Sequence, residues 1–119
     1  MKLSAPAVAD DGSVQVMVKL KNTGIRASDE VVQMYVKHLG SFVDRPKLEL
    51  QGFRRVRIEP GADAEVTLDL KARDLAHWDA VRHAWRVERE QVEVMAGGAS
   101  DSLPVEATLA ISSSGEFKP

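Results

Sequence analysis

Apolar residues recur at every second position along most of this chain. Val14, Val16, Val18 and Leu20 alternate with Ser13, Gln15, Met17 and Lys19, and Val32, Met34 and Val36 repeat the pattern. Val66, Leu68 and Leu70 alternate with Glu65, Thr67 and Asp69, and Val105, Ala107, Leu109 and Ile111 form a last run. Val92 and Val94 share a face within a segment, 85–95, that reads as one strand. A side-chain period of two belongs to an extended strand with one face in a core and the other in water. Turn chemistry separates the runs: Asn22-Thr23-Gly24, Pro60-Gly61, Gly97-Gly98, and a loop from Leu39 to Lys47 broken by Gly40, Ser41 and Pro46. Asn and Gly suit such turns because they tolerate positive φ. In the run Leu48, Leu50, Phe53, Val56, Ile58 the alternation slips near Gly52, which marks a bulge or a close backbone approach. Only 72–78 could be helical, for a turn or two.

Short strands with regular turn signals build a sandwich or a barrel. At 119 residues there is one domain, large enough to bury a single core without staples. The expected fold is all-β: an immunoglobulin-like sandwich of about seven antiparallel strands. The chain has no cysteine, so it lacks the disulfide of antibody domains and reads as the fibronectin type III-like variety. Residues 13–111 form the domain, 1–12 a lead-in or first edge strand, and 112–119 a flexible, polar tail. Tyr35 faces away from the apolar side of its strand, where its ring can pack while its hydroxyl finds a polar partner.

Composition narrows the function. A net charge of −2 argues against nucleic acid, whose partners are strongly basic. Arg54, Arg55 and Arg57 lie between Glu49 and Glu59 and read as a solvated strand face. No apolar run approaches a membrane span, so neither nucleic acid nor membrane is an expected partner. Met1-Lys2-Leu3 begins like a signal peptide, but Pro6, Asp10 and Asp11 interrupt it. Without cysteine there is no thiolate metal site or Cys nucleophile. His38, His77 and His83 show no ligand spacing and read as surface or partly buried loop residues. Ser100 follows Gly97-Gly98-Ala99 without the strand–turn–helix context of a nucleophile elbow. No cofactor motif occurs. Among carboxylates, Asp74 and Asp79 flank the helix-like segment, and Asp74 reads as a cap. Trp78 and Trp85 are the candidate sugar contacts: exposed and coplanar, they would make a stacking platform; otherwise they plug or cover the sandwich.

Several motifs in order carry a resemblance. Val18-Lys19-Leu20-Lys21-Asn22-Thr23-Gly24, Ser28-Asp29-Glu30-Val31-Val32-Gln33-Met34-Tyr35-Val36 and Arg45-Pro46-Lys47-Leu48-Glu49-Leu50-Gln51-Gly52-Phe53 are followed by Ile58-Glu59-Pro60-Gly61, Asp74-Leu75-Ala76-His77-Trp78-Asp79 and Trp85-Arg86-Val87-Glu88. Together they resemble the fibronectin type III-like C-terminal domain of family 3 glycoside hydrolases, the β-glucosidase and β-xylosidase family. Arg89-Glu90 departs from that pattern, where Pro-Gly is usual. The resemblance implies a non-catalytic accessory domain that docks on, and stabilises, the catalytic domains of a retaining β-glycosidase acting on terminal β-linked sugars. The catalytic Asp and Glu would lie in those domains, so no residue here inherits a catalytic role. It also favours a periplasmic or secreted parent. Asn22, Gly24, Gln33, Tyr35, Pro46, Gly52 and Phe53 form the structural signature: Asn22 and Gly24 for a tight turn, Gln33 for buried backbone groups, Tyr35 and Phe53 to fill the sandwich, Pro46 to stiffen a loop. The alternative is a stand-alone carbohydrate-binding or protein-interaction module.

Overall fold

A computed structural model describes residues 1–98 and 104–118. Its strands are β1 (Lys2–Leu3), β2 (Ala7–Val8), β3 (Ser13–Lys21), β4 (Ser28–His38), β5 (Glu49–Ile58), β6 (Asp63–Lys71), β7 (His77–Asp79), β8 (Ala84–Val87), β9 (Glu90–Gly97), β10 (Val105–Ile111) and β11 (Gly115–Phe117), with one 3₁₀ turn at Ala72–Leu75. A three-stranded sheet, β1-β3-β6, faces a five-stranded sheet, β2-β10-β9-β4-β5. Between them lie the alternating residues read from the sequence: Val14, Val16, Val18, Val66, Leu68 and Leu70 from one side, Val32, Met34, Val36, Val92, Val94 and Leu109 from the other. Each such side chain, taken fully out of water, contributes about 1.5–3 kcal/mol. The all-β sandwich is therefore the fold. Among the described residues the strands number eleven, because short strands join the long ones. The pairing of β2 with β10 is parallel.

Other differences have local causes. Residues 85–95, expected as one strand, break at Glu88–Arg89 into β8 and β9, which belong to different sheets. Residues 112–119, expected as a flexible tail, contain β11, which pairs with β8 and places Phe117 opposite Trp85. Aromatic packing across that pair holds down a segment whose small polar residues had suggested fraying. The third sheet, β11-β8-β7, rests on the main core through Val87 and Phe117, and the 3₁₀ turn that leads into it through Leu75. The turn at Gly61 has φ of 70°, which only glycine adopts without strain.

The slip near Gly52 is a bulge. Met34 lies opposite Gly52 and Tyr35 opposite Leu50, so Gln51 is the extra residue. One face of β4 and β5 turns inward through Met34 and Gly52, and a Cβ on Gly52 would rest 3.4 Å from Met34 Cε. The other face carries Gln33 beside Phe53 and Tyr35 beside Leu50.

Candidate functional site

The densest polar constellation centres on Glu88, at the end of β8. Its Oε1 accepts from Arg45 Nη2 at 2.8 Å and from the Ser41 hydroxyl, and its Oε2 accepts from the Phe42 amide at 2.8 Å. Arg45 also donates through Nη1 to the Leu75 carbonyl at 3.0 Å and through Nε to Ser41 at 3.1 Å. A guanidinium has no acceptor, so it also donates to His77 Nδ1, 3.3 Å from Nη2. Glu88 is 8% exposed. Burial would raise its pKa, but the hydrogen bonds from Arg45, Ser41 and Phe42 prevail and lower it to about 2. Both oxygens are occupied and the proton is lost far below neutrality, so this carboxylate is a clamp rather than a general acid. It fastens the loop between β4 and β5 to the end of β8 and the 3₁₀ turn.

A second buried group adjoins it. His38 closes β4 with a side chain 2% exposed; its Nδ1 lies 2.8 Å from Glu90 Oε2 and its Nε2 3.2 Å from Glu49 Oε1. The Nε2 contact lacks hydrogen-bond alignment. Glu90 Oε1 also accepts from the Gly40 amide at 3.2 Å. Glu90 therefore joins His38 at the end of β4 to the start of the β4–β5 loop. His38 and His77 thus sit on strands within this polar cluster, not in surface loops. His83, in the turn between β7 and β8, has φ of 49°. No grouping of three or more His, Asp or Glu suited to a metal ion occurs among the described residues.

The aromatic residues cross the third sheet in a row. Trp78 pairs with Trp85, and Trp85 with Phe117. Trp78 and Trp85 are 42% and 37% exposed, but their planes meet at 68° with centroids 5.5 Å apart. They make a corner, not the coplanar platform that stacking on one sugar face requires. Trp85 and Phe117 lie within 18° of parallel, and the Arg73 guanidinium covers Phe117 at 3.8 Å. A cleft of ≈ 480 Å³ is lined by Phe42, His77, Asp79, Arg86 and Glu88, among others. A hydrogen bond from the Arg82 amide, opposed by burial and joined by one from the Val81 amide, holds the Asp79 carboxyl below its ordinary pKa.

The signature residues divide. Asn22 is a buried hub: its Nδ2 donates to the Arg26 and Ile58 carbonyls at 2.7 and 2.9 Å, and its Oδ1 accepts from the Gly24 amide at 2.9 Å. Gly24 does not take a positive φ; its role is close approach, since a Cβ there would lie 3.2 Å from Asn22 Oδ1. Among the described residues the Gln33 side chain bonds no backbone group; its Oε1 accepts from the Tyr35 hydroxyl at 2.8 Å. Phe53 does not fill the sandwich but stands 69% exposed, because its neighbour across β4 is the outward Gln33. Pro46 follows the clamped Arg45. Asp74 makes no cap bond; Asp79 makes the turn bonds instead. Ser100 lies outside the described residues. Sequence reasoning missed Glu88 and Arg45, whose pairing spans 43 residues. The one available signal was an arginine beside a proline in a loop.

Comparison with known proteins completes the picture. The model of the fibronectin type III-like domain family matches residues 30–100. Thermostable beta-glucosidase B of Acetivibrio thermocellus is 35% identical over 106 residues, 89% of this chain and 14% of that protein. Probable beta-glucosidase M of Emericella nidulans is 40% identical over 99 residues, 83% of this chain and 12% of that protein. The crystal structure of beta-glucosidase from Kluyveromyces marxianus in complex with glucose superimposes with a TM-score of 0.87 at 34% identity, covering 98% of this chain and 14% of that one. The chain thus spans a small part of the length of the relatives it matches.

Proposed function

The chain belongs to the fibronectin type III-like domain family, and from that we infer that it works as a non-catalytic accessory domain of a family 3 β-glucosidase. Its task in this reading is structural: it docks on the domains that hold the catalytic Asp and Glu and stabilises them while they hydrolyse terminal β-linked sugars. The carrying observation is the asymmetry of coverage: 89% of this chain aligns with 14% of a β-glucosidase. An enzyme reduced to that share would have lost nearly all of its fold, while the aligned part is a complete sandwich. The polar clusters support the reading, because the Glu88 and Glu90 carboxylates are already occupied by side-chain and backbone hydrogen-bond donors. The domain is taken to run through residues 13–111, with the flanking strands β1, β2 and β11 bound to it. The purified chain is expected to fold and to leave chromogenic aryl β-glucosides intact. Turnover that follows the chain through purification would overturn the proposal.

One observation favours a second reading, a carbohydrate-binding module: the partial exposure of Trp78 and Trp85. Titration with cello-oligosaccharides, followed by tryptophan emission, separates the two. A saturable shift abolished by Trp78→Ala supports sugar binding, and a flat response rejects it.

A further inference from the structure

The outer face of the five-stranded sheet carries an apolar patch that the sandwich does not use. Phe53 and Leu50 are 69% and 53% exposed. Across the sheet, Leu50 lies beside Tyr35 and Tyr35 beside Met95, while Phe53 lies beside Gln33. A large apolar group left in water beside others of its kind marks an interaction surface rather than a scattered surface residue.

The bulge explains how the patch arises. Residues three apart on a regular strand point to opposite faces. Leu50 and Phe53 are three apart, yet both face outward, because the extra residue Gln51 re-phases the strand between them. The strand spends a bulge to expose two large apolar side chains instead of burying one. β5 is also the edge of its sheet. Its second half carries the exposed arginines Arg54, Arg55 and Arg57, which discourage edge pairing. In the half around Leu50 and Phe53 the bulge interrupts edge pairing instead, which leaves the apolar face rather than the edge as the exposed feature. The charges at the margins are of opposite sign. Arg55 lies opposite Val31 at one side; at the other, Lys37 lies opposite Glu93, and a hydrogen bond shared with Glu93, and then its charge, raise the pKa of Glu106.

We propose that this face, centred on Leu50, Phe53 and Tyr35, is the surface by which the domain docks on the remainder of a β-glucosidase-type polypeptide. The expected partner surface is apolar at its centre, with a carboxylate to meet Arg55 and a lysine or arginine to meet Glu106, Glu93 already facing Lys37. The inference rests on the accessory-domain reading and assigns its surface. The choice of occupant follows from length: relatives that share this fold over 98% of the chain carry it as 14% of their own, so most of their polypeptide lies outside it.

The test uses a chimera in which this chain replaces the aligned segment of the Acetivibrio thermocellus β-glucosidase, alongside the isolated chain. Leu50→Ser and Phe53→Ser should each shorten the thermal-inactivation half-life of the chimera about ten-fold, as loss of an interface anchor does. The same changes should leave the melting temperature of the isolated chain nearly unaltered. Ile25→Ser and Val81→Ser, at loop positions each 92% exposed, serve as controls and should do neither. If the controls destabilise the chimera and the patch variants do not, the assigned face is wrong while the accessory reading stands. If the chimera is no more stable or active than a glucosidase lacking the segment altogether, the accessory reading itself fails. If the isolated chain is a dimer that Phe53→Ser dissociates, the occupant is a second copy and the proposal is overturned. Should the chimera not fold, the isolated chain is mixed with the segment-deleted glucosidase, and slowed hydrogen exchange at residues 31–35 and 50–53 is the expected result. Exchange unchanged there but slowed elsewhere would reject the face.

Discussion

Asn22 makes five hydrogen bonds, two through its backbone and three through its side chain, and ties the start of the β3–β4 loop to the turn after β5. Replacement by alanine leaves the buried Ile58 carbonyl and the Gly24 amide without their partners. Each unsatisfied buried group costs about 1–3 kcal/mol, so Asn22→Ala is expected to destabilise the fold by about 3 kcal/mol. Urea denaturation checks this: the midpoint should fall while the slope stays the same. Asn22→Asp should also destabilise, because a carboxylate would face two carbonyl oxygens that now receive amide protons. A second position depends on the absence of a side chain. At Gly115 an added Cβ would lie 2.6 Å from Asp10 Cγ, and Asp10 is held in place by a 2.6 Å hydrogen bond from Ser113. Gly115→Ala is expected to lower the melting temperature by several degrees, on the order of 1 kcal/mol. The double variant Asp10→Gly/Gly115→Ala should recover part of the loss. No recovery would mean that crowding against Asp10 is not the cause.

At the scale of the element, the bulge in β5 is a device for register. If β5 paired regularly with Gln51 kept in place, everything before it would move by one position. Leu50 would turn inward and Glu49 outward, away from its 3.2 Å contact with His38. A regular strand that retains Gln51 cannot satisfy both the core behind Gly52 and the polar cluster at Glu49. Deleting Gln51 itself keeps Leu50 opposite Tyr35 and Glu49 opposite Val36, so the deletion variant is expected to fold with a dispersed amide spectrum, and Gln51→Ala should be nearly neutral. A broadened, collapsed amide spectrum for the deletion variant would show that the register is not fixed by these contacts and needs the bulge itself. The same strand shows what the sequence made legible. Period-two alternation located the core faces of β3, β4, β6 and β10, because inward residues there are uniformly apolar. The slip at Gly52 announced the bulge. Which side Phe53 would take was not legible, since a bulge can re-phase either half of a strand. Nor was the Glu88–Arg45 clamp, because ion pairs between distant elements leave no local spacing. β11 was hidden for a third reason: its tie to the fold comes from one aromatic, Phe117, in a segment otherwise small and polar.

The whole molecule joins a sandwich to a small aromatic sheet, with the Glu88 cluster fastening the β4–β5 loop across the junction. This arrangement makes acid sensitivity uneven. Folding lowers the Glu88 pKa from 4.5 to about 2. The associated stability is fully present above about pH 4.5 and is lost as pH falls towards 2, because the unfolded chain binds the proton first. A shift of that size corresponds to about 3 kcal/mol at neutrality. The two tryptophans of the chain, Trp78 and Trp85, both lie in the small sheet, so their emission reports on that side of the junction. Far-UV circular dichroism reports chiefly on the long sandwich strands. On acidification, tryptophan emission is expected to shift to the red at a higher pH than the loss of strand signal. Glu88→Gln keeps the shape but removes the charge that Arg45 requires. It should start less stable at neutral pH and lose little more between pH 4.5 and 2. If Glu88→Gln retained the acid response of the unaltered chain, with both signals moving together, the clamp would not govern the junction. The acid response would then belong to carboxylates spread over the whole surface.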